Sequence, residues 1–317
     1  MKKHIYFLSI LFGTSFTPTA FGLSFIFPTT CQLNNTCYIQ QYVDHQPQLN
    51  GRDFQGGQLA SAYHRGTDIA LPSFTIMDQN VRVLAAAKGK VLQVQNKQVD
   101  NTKINFAELD SKNCGNFIII QHNDNWQTQY CHLKQLSTRV KPGQQVNAGE
   151  VIANIGSSGF ADYPGLEFII TQDDKVVDPF ANKLWQSVLD YQGTGLIDIG
   201  VALTPVTFDQ LIKSPPKIAS FSLTDTTIYP WVRLFGVRAY AEQRFVFYDN
   251  KGKIYRINTL PPTNQFYPSL FAYTTLDIAT KIGIKQTGTW KVAYQLKQDD
   301  HDWQTIGEVS FLLKFYR

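Results

Sequence analysis

A histidine and an aspartate four residues apart are the first side chains in this sequence that could act together chemically. They are His64 and Asp68, within the run YHRGTDIALP at 63–72. An imidazole nitrogen and a carboxylate oxygen at this spacing can bind one metal ion if the backbone bends between them, and Gly66 permits such a bend. By themselves, however, these residues are also what a solvent-exposed turn would contain.

Two later stretches carry further candidate residues. His132 lies in the run YCHL at 130–133, and Glu167 lies in PGLEF at 164–168, between the glycine-rich IGSSG at 155–159 and VDPF at 177–180. A lone histidine is more often a structural or surface residue than a catalytic one. The three stretches together, in this order and at these intervals, favour a functional site.

The four cysteines favour disulfide bonds. The chain contains no CxxC pair, which argues against a structural zinc site built from cysteines. An even cysteine count in an exported chain usually means disulfides, and three pairings are open. We favour Cys31 with Cys37, around a small polar loop, and Cys114 with Cys131, at the open end of a predicted hairpin. Four free buried thiols are the alternative.

The first residues have the pattern of a signal peptide. Lys2 and Lys3 precede an apolar run at 5–16, and small residues at 20 and 22 predict cleavage before Leu23. No later stretch reaches the roughly 20 apolar residues of a membrane helix. We therefore expect a soluble mature protein in an oxidising compartment, the periplasm or the exterior. The 29 basic and 25 acidic residues are scattered, so no nucleic-acid partner is expected.

Strand patterns dominate the region that holds the candidate residues. Strands are predicted at 81–86 and 91–94 around a glycine turn, at 116–121 and 126–133 around a polar turn, and at 151–155 after two turns. Together they predict an all-β, mainly antiparallel domain at 60–213, after an N-terminal extension at 23–59.

Adjacent prolines at 215–216 suggest a break, after which the strand pattern restarts. Strand-like runs at 231–237, 245–248, 254–257, 290–296 and 309–315 predict an immunoglobulin-like β-sandwich at 217–317. We expect Trp231, Trp290 and Trp303 in its core. His301, in a polar turn, is expected to be solvated and not bound to metal.

Over roughly residues 60 to 182 the sequence resembles the lysostaphin-like, LytM-type murein metallopeptidases, which have the duplicated hybrid motif fold. The resemblance rests on His64 and Asp68, the YCHL run, the glycine-turn stretch at 140–159 and the closing VDP at 177–179. It implies a β-sheet groove in which zinc activates water to cut the peptide bridges of peptidoglycan. More weakly, residues 31–44 and the sandwich resemble an envelope subfamily of the same group.

The sequence departs from this family at its His-x-His element, where Gly165 and Glu167 stand. Carried over, the resemblance makes His64 and Asp68 zinc ligands, Glu167 a third, and His132 the remaining base or transition-state stabiliser. Two carboxylates would neutralise the ion, which then lowers the pKa of its water less.

Two functions therefore compete. One is a slow murein endopeptidase that acts on peptidoglycan stems, with zinc weakly held. The other is an inactive groove that binds peptidoglycan or regulates another hydrolase, with the sandwich contacting a second envelope protein. A structural envelope protein is a third option. The sequence leaves open whether residues 23–60 cover the groove.

Overall fold

The computed structural model describes residues 23–48, 50–101, 114–161, 163–222, 225, 227–278, 287–299 and 301–314. The predicted signal peptide at 1–22 lies outside the described residues. Within them, no helix has both the length and the apolar character needed to cross a membrane.

The first part of the chain is built on an antiparallel sheet. Its elements are β1 (Tyr38–Gln41), β2 (Thr67–Ala70), α1 (Phe74–Met77), β3 (Arg82–Leu84), β4 (Gly89–Gln95), β5 (Asn116–Gln121), β6 (Trp126–Leu133), β7 (Gln145–Val146), β8 (Val151–Asn154), β9 (Gly165–Gln172) and β10 (Lys175–Val176). In the described residues the main sheet has the order β1-β2-β9-β6-β5-β4-β7, with β10 on β9, while β3 and β8 form a separate pair.

Burial alternates along the strands of the main sheet, so one face of the sheet packs against the hydrophobic core. In β5, Ile118 and Ile120 are fully buried, and Ile119 between them is partly exposed. Tyr130 of β6 and Phe168 of β9 are buried in the same core. The opposite face is therefore available for a groove.

The strands predicted on either side of residues 88–90 exist but do not pair with each other. β3 pairs with β8, whereas β4 pairs with β5 and β7. Gly89 is the first residue of β4 and makes no turn; a Cβ there would collide with the carbonyl of Gln121. Its role is close packing of two strands.

Both predicted disulfides are present, Cys31–Cys37 and Cys114–Cys131. The second closes the β5–β6 hairpin at its open end, as the sequence indicated.

The second part contains two facing sheets. Its elements are β11 (Gly195–Ala202), α2 (Phe208–Lys213), β12 (Ser220–Ser222), β13 (Thr227–Val237), β14 (Glu242–Tyr248), β15 (Ile254–Leu260), β16 (Tyr267–Tyr273), β17 (Leu276–Asp277), β18 (Gly288–Lys297) and β19 (Gln304–Lys314). One sheet has the order β11-β13-β16 with β17 on β13, and the other β12-β19-β18-β14-β15. Val232, Phe245 and Trp290 share one buried core between them. The sandwich is present, and its immunoglobulin-like type stays a prediction.

Four details of this part can be compared with the expectations from the sequence. β11 pairs with β13, so residues 195–202 belong to the sandwich although they precede the predicted break. The prolines at 215–216 instead lie on the connection between α2 and β12. Trp231 and Trp290 are fully buried, but Trp303 is only partly buried, with the Arg244 guanidinium 4.0 Å from its ring centre. His301 is exposed.

Candidate metal centre

Strand register brings the candidate residues together on the groove face of the main sheet. Asp68 of β2 lies opposite Glu167 of β9, which in turn lies opposite Cys131 of β6. Directly paired residues of adjacent strands point to the same face. His64, Asp68, Glu167 and His132 all line one cavity of about 720 Å³.

Three of these side chains have the spacing of a metal site. His64 Nε2 is 3.1 Å from Asp68 Oδ2 and 3.9 Å from Glu167 Oε1. One donor atom from each residue lies within 4.8 Å of the others. Donors of a tetrahedral zinc ion with bonds of about 2.0–2.2 Å are roughly 3.3–3.6 Å apart. The nitrogen and the two carboxylates therefore fit a zinc ion with small side-chain adjustments.

The charge balance of the cluster also favours a cation. Burial alone would lower the pKa of His64, but the carboxylates of Asp68 and Glu167 raise it to about 9. Burial and the neighbouring Asp68 carboxylate raise the pKa of Glu167. The two carboxylates repel each other at this distance, and a bound divalent cation would remove that repulsion.

A hydrogen bond orients His64 for ligation. Its Nδ1 lies 2.9 Å from the backbone carbonyl oxygen of Tyr42, so Nδ1–H donates there and Nε2 is the nitrogen that faces the cluster. A metal ion bound at Nε2 would replace the proton that this nitrogen shares with Asp68.

His132 faces the cluster from the other side. Its Nε2 is 3.6 Å from Glu167 Oε2, and its Nδ1 is 2.8 Å from the carbonyl oxygen of Ser158. This second contact places the proton on Nδ1 and leaves Nε2 free to accept one.

A β-bulge explains how His132 reaches the groove. Strict alternation would place Cys131 in the groove and His132 in the core, yet both line the cavity. The β5–β6 register shifts at this point, and His132 has a φ of 62°. Its N–H donates to the Cys114 carbonyl oxygen over 2.8 Å. The sequence pattern gave no sign of this bulge.

The structure corrects the role expected of Gly66. Its φ is not in the left-handed region, so it does not supply an unusual bend. A Cβ at this position would stand 2.7 Å from Cγ of Glu167. Gly66 is needed because Glu167 packs directly against its backbone.

Gly165 leaves part of the groove wall without a side chain. It pairs with Ala70 and lines the cavity. A Cβ there would be 3.1 Å from the Ile69 carbonyl oxygen and 3.3 Å from the Ala70 Cα. The position is therefore crowded at its base, although it opens to the groove.

The VDP stretch at 177–179 does not line the cavity, and its aspartate makes structural contacts instead. Asp178 is buried, its Oδ2 lies 2.8 Å from Nε2 of His45, and its Oδ1 accepts from the N–H of Phe180. No sequence pattern predicted the contact of His45, because this residue lies between the weakly similar residues 31–44 and the start of the strong resemblance near residue 60.

The antiparallel sheet, its groove and the His–Asp–Glu donor cluster are features that a metallopeptidase domain would need. Comparison with known proteins agrees, because residues 62–179 match the family model described as Peptidase family M23. The chain carries a domain of this family at those positions.

Two curated proteins are similar to part of this chain. The peptidoglycan DD-endopeptidase ShyB of Vibrio cholerae is 32% identical over 115 residues, which are 36% of this chain and 22% of that protein. The lipoprotein NlpD/LppB homolog of Pseudomonas aeruginosa is 35% identical over 97 residues, 31% of this chain and 27% of that protein. The chain thus spans about a quarter of the length of these relatives.

Among solved structures, a zinc-containing peptidase from Vibrio cholerae is 26% identical, with a TM-score of 0.29, and the match covers 44% of this chain and 38% of that chain.

Proposed function

We propose that this protein is a slow zinc-dependent endopeptidase that cuts peptide cross-links of peptidoglycan in the cell envelope. One observation carries the proposal. The donor atoms of His64, Asp68 and Glu167 lie within 4.8 Å of one another, and His132 faces them across the same groove. Ligands and a proton acceptor in one cleft are what metal-assisted peptide hydrolysis requires.

His64, Asp68 and Glu167 would hold the zinc ion, which supplies Lewis-acid polarisation of a peptide carbonyl when bound. The groove holds the peptide in extended form. His132 Nε2 accepts a proton from the water molecule that attacks the carbonyl carbon. It then returns a proton to the departing amine as the C–N bond breaks. The bond from His132 Nδ1 to the Ser158 carbonyl stabilises the doubly protonated ring between these steps.

Two features make turnover slow. A zinc ion held by two carboxylates and one histidine would carry no net charge, and it would polarise substrate and water less than an ion held by two histidines and one carboxylate. Gly165 offers no side chain to the developing oxyanion, and the loss of one such donor typically costs about 10²–10³ in rate.

Location and partners follow from the same reasoning. The signal-like start and two disulfides favour the periplasm or the exterior. The relatives are named as a peptidoglycan endopeptidase and a lipoprotein homolog, which supports peptidoglycan peptide stems as substrate. The sandwich gives a surface for a second envelope protein.

Gly165 also favours a second candidate function. This glycine stands where the peptidases that the sequence resembles have a histidine. A groove without that side chain suits a domain that binds peptidoglycan, or regulates another hydrolase, without cutting. The two functions predict different behaviour of the zinc-loaded protein.

The deciding experiment measures zinc content of the mature chain and its digestion of purified peptidoglycan, with and without a chelator. We expect about one zinc ion per chain and slow, chelator-sensitive release of peptides; Glu167→Ala should weaken zinc binding and abolish the release of peptides. Peptidoglycan binding without metal and without cleavage would favour the second function.

A further inference from the structure

A short stretch before the M23 domain reaches the candidate metal centre. Residues 41–44 lie outside the matched region 62–179. Gln41, the last residue of β1, lies directly opposite Asp68 of β2. Gln41 thus extends the row of paired residues that runs through Asp68 and Glu167 across the groove face.

Gln41 contacts the carboxylate that would bind metal. Its Nε2 donates to Asp68 Oδ2 over 3.4 Å, and its Oε1 accepts from the N–H of Ser61 over 3.0 Å. The second bond fixes which end of the amide faces Asp68. The oxygen that Gln41 contacts is the one that lies 3.1 Å from His64 Nε2. Gln41 therefore restrains a donor atom of the cluster.

Tyr42 and Asp44 hold His64 in the same way. The Tyr42 carbonyl accepts from His64 Nδ1, and the Asp44 N–H donates to the His64 carbonyl over 2.9 Å. Asp44 Oδ2 also accepts from the N–H of Tyr63 over 2.7 Å, where the backbone has a φ of 65°. A non-glycine residue in this conformation needs such support. Both the ring and the backbone of His64 are thus fixed by one stretch.

We propose that residues 41–44 are an integral part of the metal centre, with Gln41 as a positioning residue for Asp68. Outer contacts that orient ligands typically change metal affinity about 10–100-fold, because a restrained ligand loses less freedom on binding. The proposal rests on the proposed function for the identity of the ion, but the positioning of Asp68 and His64 is independent of it. The N-terminal extension lines the groove with Gln40 and Gln41.

The test uses the full mature chain and compares Gln41→Leu with Gln129→Leu. Gln129 lines the same cavity, but its Nε2 contacts the sulfurs of Cys114 and Cys131. We expect Gln41→Leu to lower zinc affinity about tenfold and to change the absorption spectrum of the Co²⁺-loaded chain. Gln129→Leu should do neither, and circular dichroism should show that both variants fold.

A measurement without metal separates the two proposals. In ¹⁵N NMR spectra, the Nε2 resonance of His64 should move in Gln41→Leu and not in Gln129→Leu, because the neighbouring Asp68 oxygen loses its restraint. If wild type binds no zinc but the resonance moves, the proposed function is wrong and the positioning role stands. An unmoved resonance, or zinc affinity and Co²⁺ spectrum unchanged in Gln41→Leu, would overturn the positioning role.

Discussion

At the scale of single residues, the candidate site departs from the histidine-rich pattern of its family at two positions on β9. Glu167 points into the groove with His64 and Asp68, as a third ligand must. Gly165 lines the groove without a side chain. The departure therefore changes the charge of the donor set and removes one side chain from the groove wall.

Restoring both positions should raise activity. Glu167→His returns one positive charge to the bound ion, and Gly165→His returns a donor to the oxyanion, so the double variant should cut purified peptidoglycan at least about tenfold faster than wild type. Because a Cβ at 165 lies 3.1 Å from the Ile69 carbonyl oxygen, Gly165→Ala is the control for crowding. The slow-enzyme proposal would be contradicted if the wild-type protein already cut peptidoglycan at a high, chelator-sensitive rate and the double variant cut no faster.

Gly66 gives a second residue-scale prediction. In Gly66→Ala the new Cβ would meet Cγ of Glu167 at 2.7 Å, so the carboxylate must move away from His64. Zinc affinity, measured by competition with a chromophoric chelator, should fall about tenfold. This is the size of effect that is typical when a contact that orients a metal ligand is lost.

A double-mutant cycle tests the stated cause. In a Glu167→Ala background, the added Gly66→Ala change should have little further effect, since the group it displaces is gone. Additive losses would mean that Gly66 acts through something other than Glu167.

At the scale of elements, the β5–β6 hairpin connects a disulfide to a candidate catalytic side chain. Cys114 is bonded to Cys131, and the Cys114 carbonyl accepts the N–H of His132 in the bulge. The cross-link thus holds the backbone on which His132 depends.

Replacing Cys114 and Cys131 together by serine should lower both stability and activity. The loop between them spans 17 positions in sequence, for which chain-entropy models give about 3 kcal/mol in the free energy of unfolding. Peptidoglycan cleavage should fall as well, because the bulge at His132 loosens. Thermal melts and digestion assays measure the two effects.

The paired serine variant of Cys31 and Cys37 is the matched control. It should also lose stability, but its cleavage rate below the melting transition should stay near wild type. Equal loss of cleavage in both variants would argue against a specific link between the Cys114–Cys131 bond and His132.

At the scale of the whole molecule, a buried arginine connects the sandwich to the first part of the chain, whose main sheet carries the groove and which is called the groove domain below. Arg233 of β13 is fully buried, and its Nη1 donates to the carbonyl oxygens of Pro72 and Leu211 over 2.6 and 3.2 Å. Its guanidinium also lies over the rings of Tyr163, a groove-lining residue, and Phe208. The back of the groove wall therefore contacts the sandwich.

Arg233→Met should lower the free energy of unfolding by about 1–3 kcal/mol, since buried carbonyls lose their donor. Denaturant unfolding of the full chain measures this. Arg238→Met is the control: Arg238 is exposed and pairs with Asp299, so its loss should change stability by less than about 1 kcal/mol. Similar losses in both variants would contradict a special role for Arg233.

The separate folding of the sandwich stays a prediction, with a revised start. A fragment from 195 to 317 retains β11 and should melt cooperatively. A fragment from 217 lacks β11, which pairs with β13 along seven positions, and should melt at a lower temperature or not fold. Both fragments lack Tyr38, so they expose Phe235, which stacks on that ring in the full chain. An unfolded 195–317 fragment would show that the sandwich depends on the groove domain.

The sequence by itself identified the candidate site residues and most of the strands. His64, Asp68, His132 and Glu167 were identifiable because their residue types and their order follow a known pattern. Alternation identified the β5–β6 hairpin and most sandwich strands, because period-two burial is a local property of the chain.

Only the tertiary structure decided how those residues meet. The bulge that turns His132 into the groove, the packing of Glu167 on Gly66 and the pairing of Gln41 with Asp68 depend on strand register between distant parts of the chain. The same holds for β11, whose partner β13 fixes its place in the sandwich. Register is set by contacts between strands and by the shared core, so no local pattern in any one strand could have revealed it.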